Sequence, residues 1–102
     1  MEEEIKIACK VNDDNGEPIQ MIAWKYKAMR EAILQVLPDE GEGISFKDLR
    51  QQAKEALSEE QRSNLGSAGW YTLTVKKDLE ARGLIHSVPG SKPERLLAGP
   101  AP

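Results

Sequence analysis

From Gly66 to Gly99 the chain reads GSAGWYTLTVKKDLEARGLIHSVPGSKPERLLAG, and this run admits few backbone paths. Ser67 carries the side chain of an N-cap, whose oxygen accepts a free amide at a helix start. Ala68, Thr72, Val75 and Leu79 then recur at helical spacing on a run that lasts to Arg82. Gly83 stands where a helix ends on a left-handed residue, a conformation that glycine enters without steric cost. Leu84, Ile85 and Val88 suit a strand, Pro89-Gly90-Ser91-Lys92-Pro93 must turn, and Arg95-Leu96-Leu97 can return beside it. A helix thus delivers the chain directly into a two-stranded hairpin with a basic, Pro- and Gly-rich tip.

Upstream, Ile5, Ile7, Cys9 and Val11 alternate with polar residues and predict a short strand. The polar loop from Asn12 to Gly16 leads to an extended Pro18–Ile22 stretch, so the two pieces form either a hairpin or a loose arm. An isolated hairpin is marginal in water, so an ordered arm must pack on its own domain or on a second copy. Trp24 to Leu37 is a helix, with Tyr26, Met29, Ile33 and Val36/Leu37 as its apolar stripe and Pro38 as its stop. After the acidic loop Asp39-Glu40-Gly41-Glu42-Gly43, Ser45 caps a second helix with Asp48 three residues on. Phe46, Leu49, Ala53 and Ala56/Leu57 form its buried stripe, and the polar Ser58–Leu65 segment is a linker with room for a further turn of helix.

The order is arm, helix, short extended pair, helix, linker, helix, strand, turn, strand. Over residues 23–98 this resembles a winged helix-turn-helix domain. The most specific piece is VKKDLEARGLI, where Leu79 packs the core, Gly83 ends the helix and Leu84-Ile85 starts the strand. The chain is also similar to a small family of uncharacterised bacterial proteins with a like Gly-Trp-Tyr…Val-Lys…Asp-Leu-Glu-Ala-Arg-Gly-Leu-Ile segment followed by Pro-Gly-Ser-Lys-Pro. That similarity implies a fold and no biochemical role. The resemblance implies an α+β fold: a three-helix core with a C-terminal β-hairpin wing, Gly43-Ile44 as a tiny third strand, and an N-terminal strand or hairpin arm. It divides the chain into an arm at 1–22, the winged-helix domain at 23–98 and a frayed tail at 99–102.

The 102 residues are enough for a single small core, which must be mostly aliphatic because only Trp24, Tyr26, Phe46, Trp70 and Tyr71 are aromatic. A lone cysteine, Cys9, forms no internal disulfide and has no Cys/His cluster to join around zinc. No apolar run reaches the roughly 20 residues that span a bilayer, and the acidic Met1-Glu2-Glu3-Glu4 start is unlike a signal peptide. A cytoplasmic location is the expectation. The net charge of −3 is unevenly spread. Residues 1–61 hold 14 acids and 8 bases, whereas residues 62–102 hold 3 acids and 6 bases. A local positive excess attracts phosphate even when the whole domain is acidic, because screening confines each contact to roughly 10 Å at 0.1 M salt.

If the resemblance holds, the third helix would lie against a DNA major groove. With Val75 and Leu79 inward, Trp70, Thr74 and Lys77 occupy the opposite surface, and Leu73 and Lys76 its sides. Ser67 and the amides at the helix start would favour a phosphate. Lys76 and Lys77 are phosphate partners in this reading, with solvated helix lysines as the plain alternative. Gly66 and Gly69 either permit a close backbone approach or simply turn and pack the chain. Arg82 meets the helix dipole in a structural role. Tyr71 packs near the core. Trp70 either stacks on a base or anchors a partner, or folds over the second helix as core, which is the narrowly favoured alternative. On the wing, Lys92 comes first and Arg95 second as phosphate contacts, weakened by Glu94 between them.

Catalysis has little to stand on: His86 is the sole histidine and lacks a nearby acid or cysteine, and Cys9 is expected to be an inert, half-buried thiol. The expected function is non-enzymatic binding of double-stranded DNA, with transcriptional regulation as a role open to it, through Ser67, Trp70, Thr74, Lys76, Lys77, Lys92 and Arg95, with no cofactor, metal or small-molecule substrate. A homodimer paired through Ile5–Val11 fits this reading. The rival is a winged-helix protein–protein interaction module, favoured by the acidic pI near 5.2, by the few arginines on the third helix and by the alternative in which Trp70 is exposed. The two separate on one surface: DNA needs a contiguous positive face from Lys77 to Lys92, and a protein partner needs an apolar patch around Trp70 with mixed charge.

Overall fold

The computed structural model of the protein describes residues 6–101 and shows a mixed α+β fold with four helices and two small antiparallel sheets. Strands β1 (Lys6–Asn12) and β2 (Pro18–Ile22) form a hairpin, with Ile7 opposite Met21 and a register shift between Ala8 and Asn12. The arm is therefore ordered, apart from Ile5, which lies outside the described residues. Its alternation works as expected: Cys9 and Met21 are buried, and Ile7, Val11 and Ile19 are half-buried. The hairpin packs on its own chain, against the last helix.

Helix α1 (Ala23–Val36) buries Tyr26, Met29 and Ile33, the stripe predicted from spacing, and stops before Pro38. Strand β3 (Ile44–Ser45) runs into α2 (Phe46–Ala56), whose first free amides are met by the Ser45 hydroxyl, accepting from Asp48 N–H at 3.2 Å. Leu49 and Ala53 of α2 are fully buried. A separate helix α3 (Glu59–Leu65) follows in the segment read as a linker with room for a further turn. Its start is a reciprocal capping box: Ser58 Oγ accepts from Gln61 N–H at 3.1 Å and Gln61 Oε1 accepts from Ser58 N–H at 2.9 Å. Arg62 of α3 reaches back to the Leu57 carbonyl at 2.9 Å and so closes the end of α2.

Helix α4 (Ala68–Ala81) is the long third helix of the sequence reading, displaced to fourth by α3. It ends on Gly83 in a Schellman arrangement: Leu84 N–H donates to Leu79 C=O at 2.9 Å and Gly83 N–H to Glu80 C=O at 3.1 Å, with Gly83 at φ +75°. The chain then forms β4 (Ile85–Ser87) and β5 (Arg95–Ala98), and β3 adds to the free side of β5, giving the order β3-β5-β4. The hairpin and its small third strand are thus present. The turn between β4 and β5 does not project freely, however. Glu94 on it is held to Lys76 of α4 at 2.9 Å and to Ser87 at 2.7 Å, so the turn lies back on the helix. Gly99, read as part of the tail, is tied to Leu84 C=O at 2.7 Å through its amide and to His86 Nδ1 at 2.9 Å through its carbonyl.

Candidate functional site

Ser67 Oγ accepts from Trp70 N–H at 3.2 Å and starts α4 as predicted. Thr72, Val75, Asp78 and Leu79 point into the core with no exposure, so the opposite face is left to Trp70, Leu73 and Lys77. Trp70 is 44% exposed, so it does not fold over α2 as core; its ring instead meets Tyr71 edge-on, with centroids 4.9 Å apart. Leu73 is likewise 38% exposed. The unpredicted member of this surface is Trp24, at the start of α1 and 42% exposed. Lys25 Nζ lies 5.8 Å from the Trp24 ring and 5.5 Å from the Tyr71 ring, close enough for cation–π attraction to link them. Trp24, Lys25, Tyr71, Trp70 and Leu73 therefore line one side of the molecule.

Three of the residues expected to touch DNA are placed otherwise. Thr74 is buried, because the β1–β2 hairpin covers that flank of α4. Lys76 is 8% exposed and spends its charge internally, on Glu80 at 2.6 Å and Glu94 at 2.9 Å, over the Phe46 ring. Burial pushes the Lys76 ammonium down, but the two carboxylates outweigh it and raise its pKa. Arg95 is half-buried as the first residue of β5, and its guanidinium donates to the Gly43 carbonyl at 3.0 Å, locking the entry to β3. Ser67, Trp70, Lys77 and Lys92 remain accessible.

Beside the outer face of α4 runs a groove whose far wall is the arm, lined by Val11, Asp13, Asp14, Ile19, Leu73 and Lys77. The arm's tip is acidic and well formed: the Asp13 carboxylate accepts from Asn15 N–H at 2.8 Å and Glu17 N–H at 3.0 Å. Two carboxylates thus share the groove with Lys77, and the surface beside the exposed Trp70 and Leu73 carries mixed charge.

The arm is held there by Asp78, which the sequence reading did not single out. Its Oδ1 accepts from Lys10 N–H at 2.7 Å, and its Oδ2 accepts from Arg82 Nε at 2.8 Å and from the Tyr26 hydroxyl in a short hydrogen bond. Burial pushes the Asp78 carboxyl up, but the Arg82, Tyr26 and Lys10 donors together hold it below the ordinary carboxylate range. Arg82 is structural as expected, through this ion pair. The signal available in sequence was an acid at the inward position between Val75 and Leu79 with an arginine four residues on. Lys10 N–H faces away from β2 and toward α4, so on the outer edge of β1 this donor is already taken by Asp78.

Burial, and then the hydrogen bond to Asp78, push the Tyr26 phenol up to about 12. An unfolded tyrosine ionises near pH 10, so Tyr26 contributes stability that is complete below about pH 10 and is lost as pH rises toward 12. Phenolate absorbance in a pH titration should show a step near pH 12 that Tyr26→Phe removes, and a step left in place by that substitution would refute the assignment. Cys9 is buried, and burial followed by the nearby Asp78 charge raises its thiol pKa, consistent with an inert thiol.

Among the described residues no His, Cys, Asp or Glu side chains gather in a group of three that could hold a metal, and no helix is long and apolar enough to cross a membrane. No curated protein matches the chain, and no solved structure does. A family model matches residues 6–96, from the start of β1 to the middle of β5, and the chain accordingly belongs to the family of unknown function DUF6958.

Proposed function

We propose that the chain is a non-enzymatic, winged-helix-like module that binds a protein partner on the outer face of α4. The observation that carries this reading is the exposure of Trp70 and Leu73 beside the acid-tipped arm. Solvent-facing tryptophan is the residue type most often found at the energetic centre of protein interfaces. The half-buried Val11 and Ile19 floor the groove next to it, and Asp13 and Asp14 stand at its rim. The partner is a segment with an apolar anchor for the groove and a basic residue for the arm tip. A photo-crosslinking residue placed at Leu73 should trap one defined adduct in cells of the source organism. Trp70→Ala should weaken that complex by about 2 kcal/mol or more, roughly thirtyfold. Crosslinking that ignores Trp70→Ala would count against this face.

Duplex DNA is the second reading, supported by Lys77, Lys92 and the Ser67-capped start of α4, all accessible. With Lys76 and Arg95 committed internally, two phosphate contacts remain, for which the log–log salt dependence would be roughly −1.8, against −3.6 for four. Across a series from about 50 to 200 mM salt, the protein-partner reading expects no binding to mixed-sequence duplex even at the lowest salt. Binding with the slope of two contacts, lost on Lys77→Glu with Lys92→Glu, would instead favour DNA.

A further inference from the structure

We propose that a shallow pocket between β1, α1 and the end of α4 binds a dianionic phosphate group, held by Lys27, Arg30 and Arg82. This pocket is separate from the Trp70 face and does not depend on the function proposed for it. Its remaining walls are Ile7, Tyr26 and Leu84, and no acidic side chain among the described residues lines it. Lys27 and Arg30 are three residues apart on α1, so their side chains share a helix face. Arg82 enters from the other side, at the C-cap of α4.

Arg82 is held in advance of any ligand. Its Nε donates to the fully buried Asp78 at 2.8 Å, and its guanidinium carbon lies 5.9 Å from the Tyr26 ring centre. One terminal nitrogen makes only a long 3.5 Å contact with the Ala8 carbonyl, so the terminal N–H groups retain donor capacity. A guanidinium already fixed by one carboxylate loses little further freedom when it clamps an oxyanion, and its planar fork matches phosphate oxygens in pairs. The charge balance points to the valence of the ligand. Asp78 offsets one of the three cations, and both of its oxygens are already engaged. Two positive charges are left facing a pocket with apolar walls, which a phosphate dianion neutralises and a single carboxylate does not.

The test is titration of inorganic phosphate into the full chain at about pH 8, at constant ionic strength set with chloride, followed by the amide and Arg82 Nε–H resonances. The expected result is a saturable shift of Arg82 Nε–H, with affinity reduced at least about tenfold by Lys27→Gln combined with Arg30→Gln. Those two residues are in no ion pair among the described residues, and an unchanged Lys10 amide resonance would confirm that the Asp78 cluster survives the substitutions. A parallel titration with glycerol 3-phosphate separates the sources: tighter binding assigns the site to a phosphorylated small solute, and equal or weaker binding to free phosphate. A shift that never saturates, or a saturable one that the double substitution leaves unchanged, would overturn the proposal.

Discussion

Asp78→Ala should cost about 3–5 kcal/mol of folding stability, the range seen when one partner of a buried, hydrogen-bonded charge pair is removed. The substitution strands the Lys10 amide and the Tyr26 hydroxyl, both of which lose their acceptor, while the half-exposed Arg82 can turn to water. For a domain whose whole stability is of the order of 5–15 kcal/mol, that is a large share. Urea unfolding should show a matching drop in midpoint, and hydrogen exchange should quicken first at Lys10, because the arm is pinned to α4 at that amide. The pH dependence follows from the same bonds. The Asp78 carboxyl is held below its unfolded value, so its stabilisation is present above about pH 4 and is lost as the pH falls through the lower folded value. Asp78→Ala should flatten that acid limb. A variant as stable as the parent would show that the arm is held by something else.

Gly43→Ala is the second large effect, at about 3 kcal/mol. Gly43 has φ +80°, a region that costs an L-residue about 1–2 kcal/mol. An added Cβ would also lie 2.7 Å from the Leu96 carbonyl oxygen and 3.1 Å from Val88 Cγ2. The first of these is backbone in β5, so relief means parting β3 from β5 and releasing Arg95 from the Gly43 carbonyl. Gly41→Ala is the built-in control. Gly41 also has positive φ, +93°, but nothing lies within 4 Å of its added Cβ. Thermal or urea unfolding of the two variants should therefore differ by the steric part alone, and equal losses would disprove the clash.

The local signals in the chain were reliable wherever one residue and its near neighbours decide the outcome. The Ser45 and Ser67 caps, the Gly83 exit, the inward Val75 and Leu79, and the hairpin after Ile85 all follow from short-range rules and are present. The capping box at Ser58 and Gln61 is equally legible, but Leu65 is the single apolar residue of Ser58–Leu65, so no apolar stripe marks α3 as a helix. The candidate site was less legible. Lys76 and Lys77 are adjacent and chemically identical, yet one is buried between Glu80 and Glu94 and the other is exposed. The helix itself offers Lys76 only Glu80, four residues on, and its second carboxylate, Glu94, arrives from a turn eighteen residues later. Thr74 was assigned outward from the helix alone, and the arm, sixty residues earlier in the chain, covers it. Asp78 becomes distinctive only where the fold brings Lys10 and Tyr26 to it.

By itself the sequence determined the elements and their ends, since caps, glycine conformations and apolar spacing act within a few residues and depend on bonds made inside one turn. Only the tertiary structure decided which charges are spent and which aromatic rings face water. Those outcomes rest on partners 18 to 68 positions away along the chain, as in Lys76 with Glu94 and Lys10 with Asp78, and a pattern read along one helix holds no information about what is packed against it.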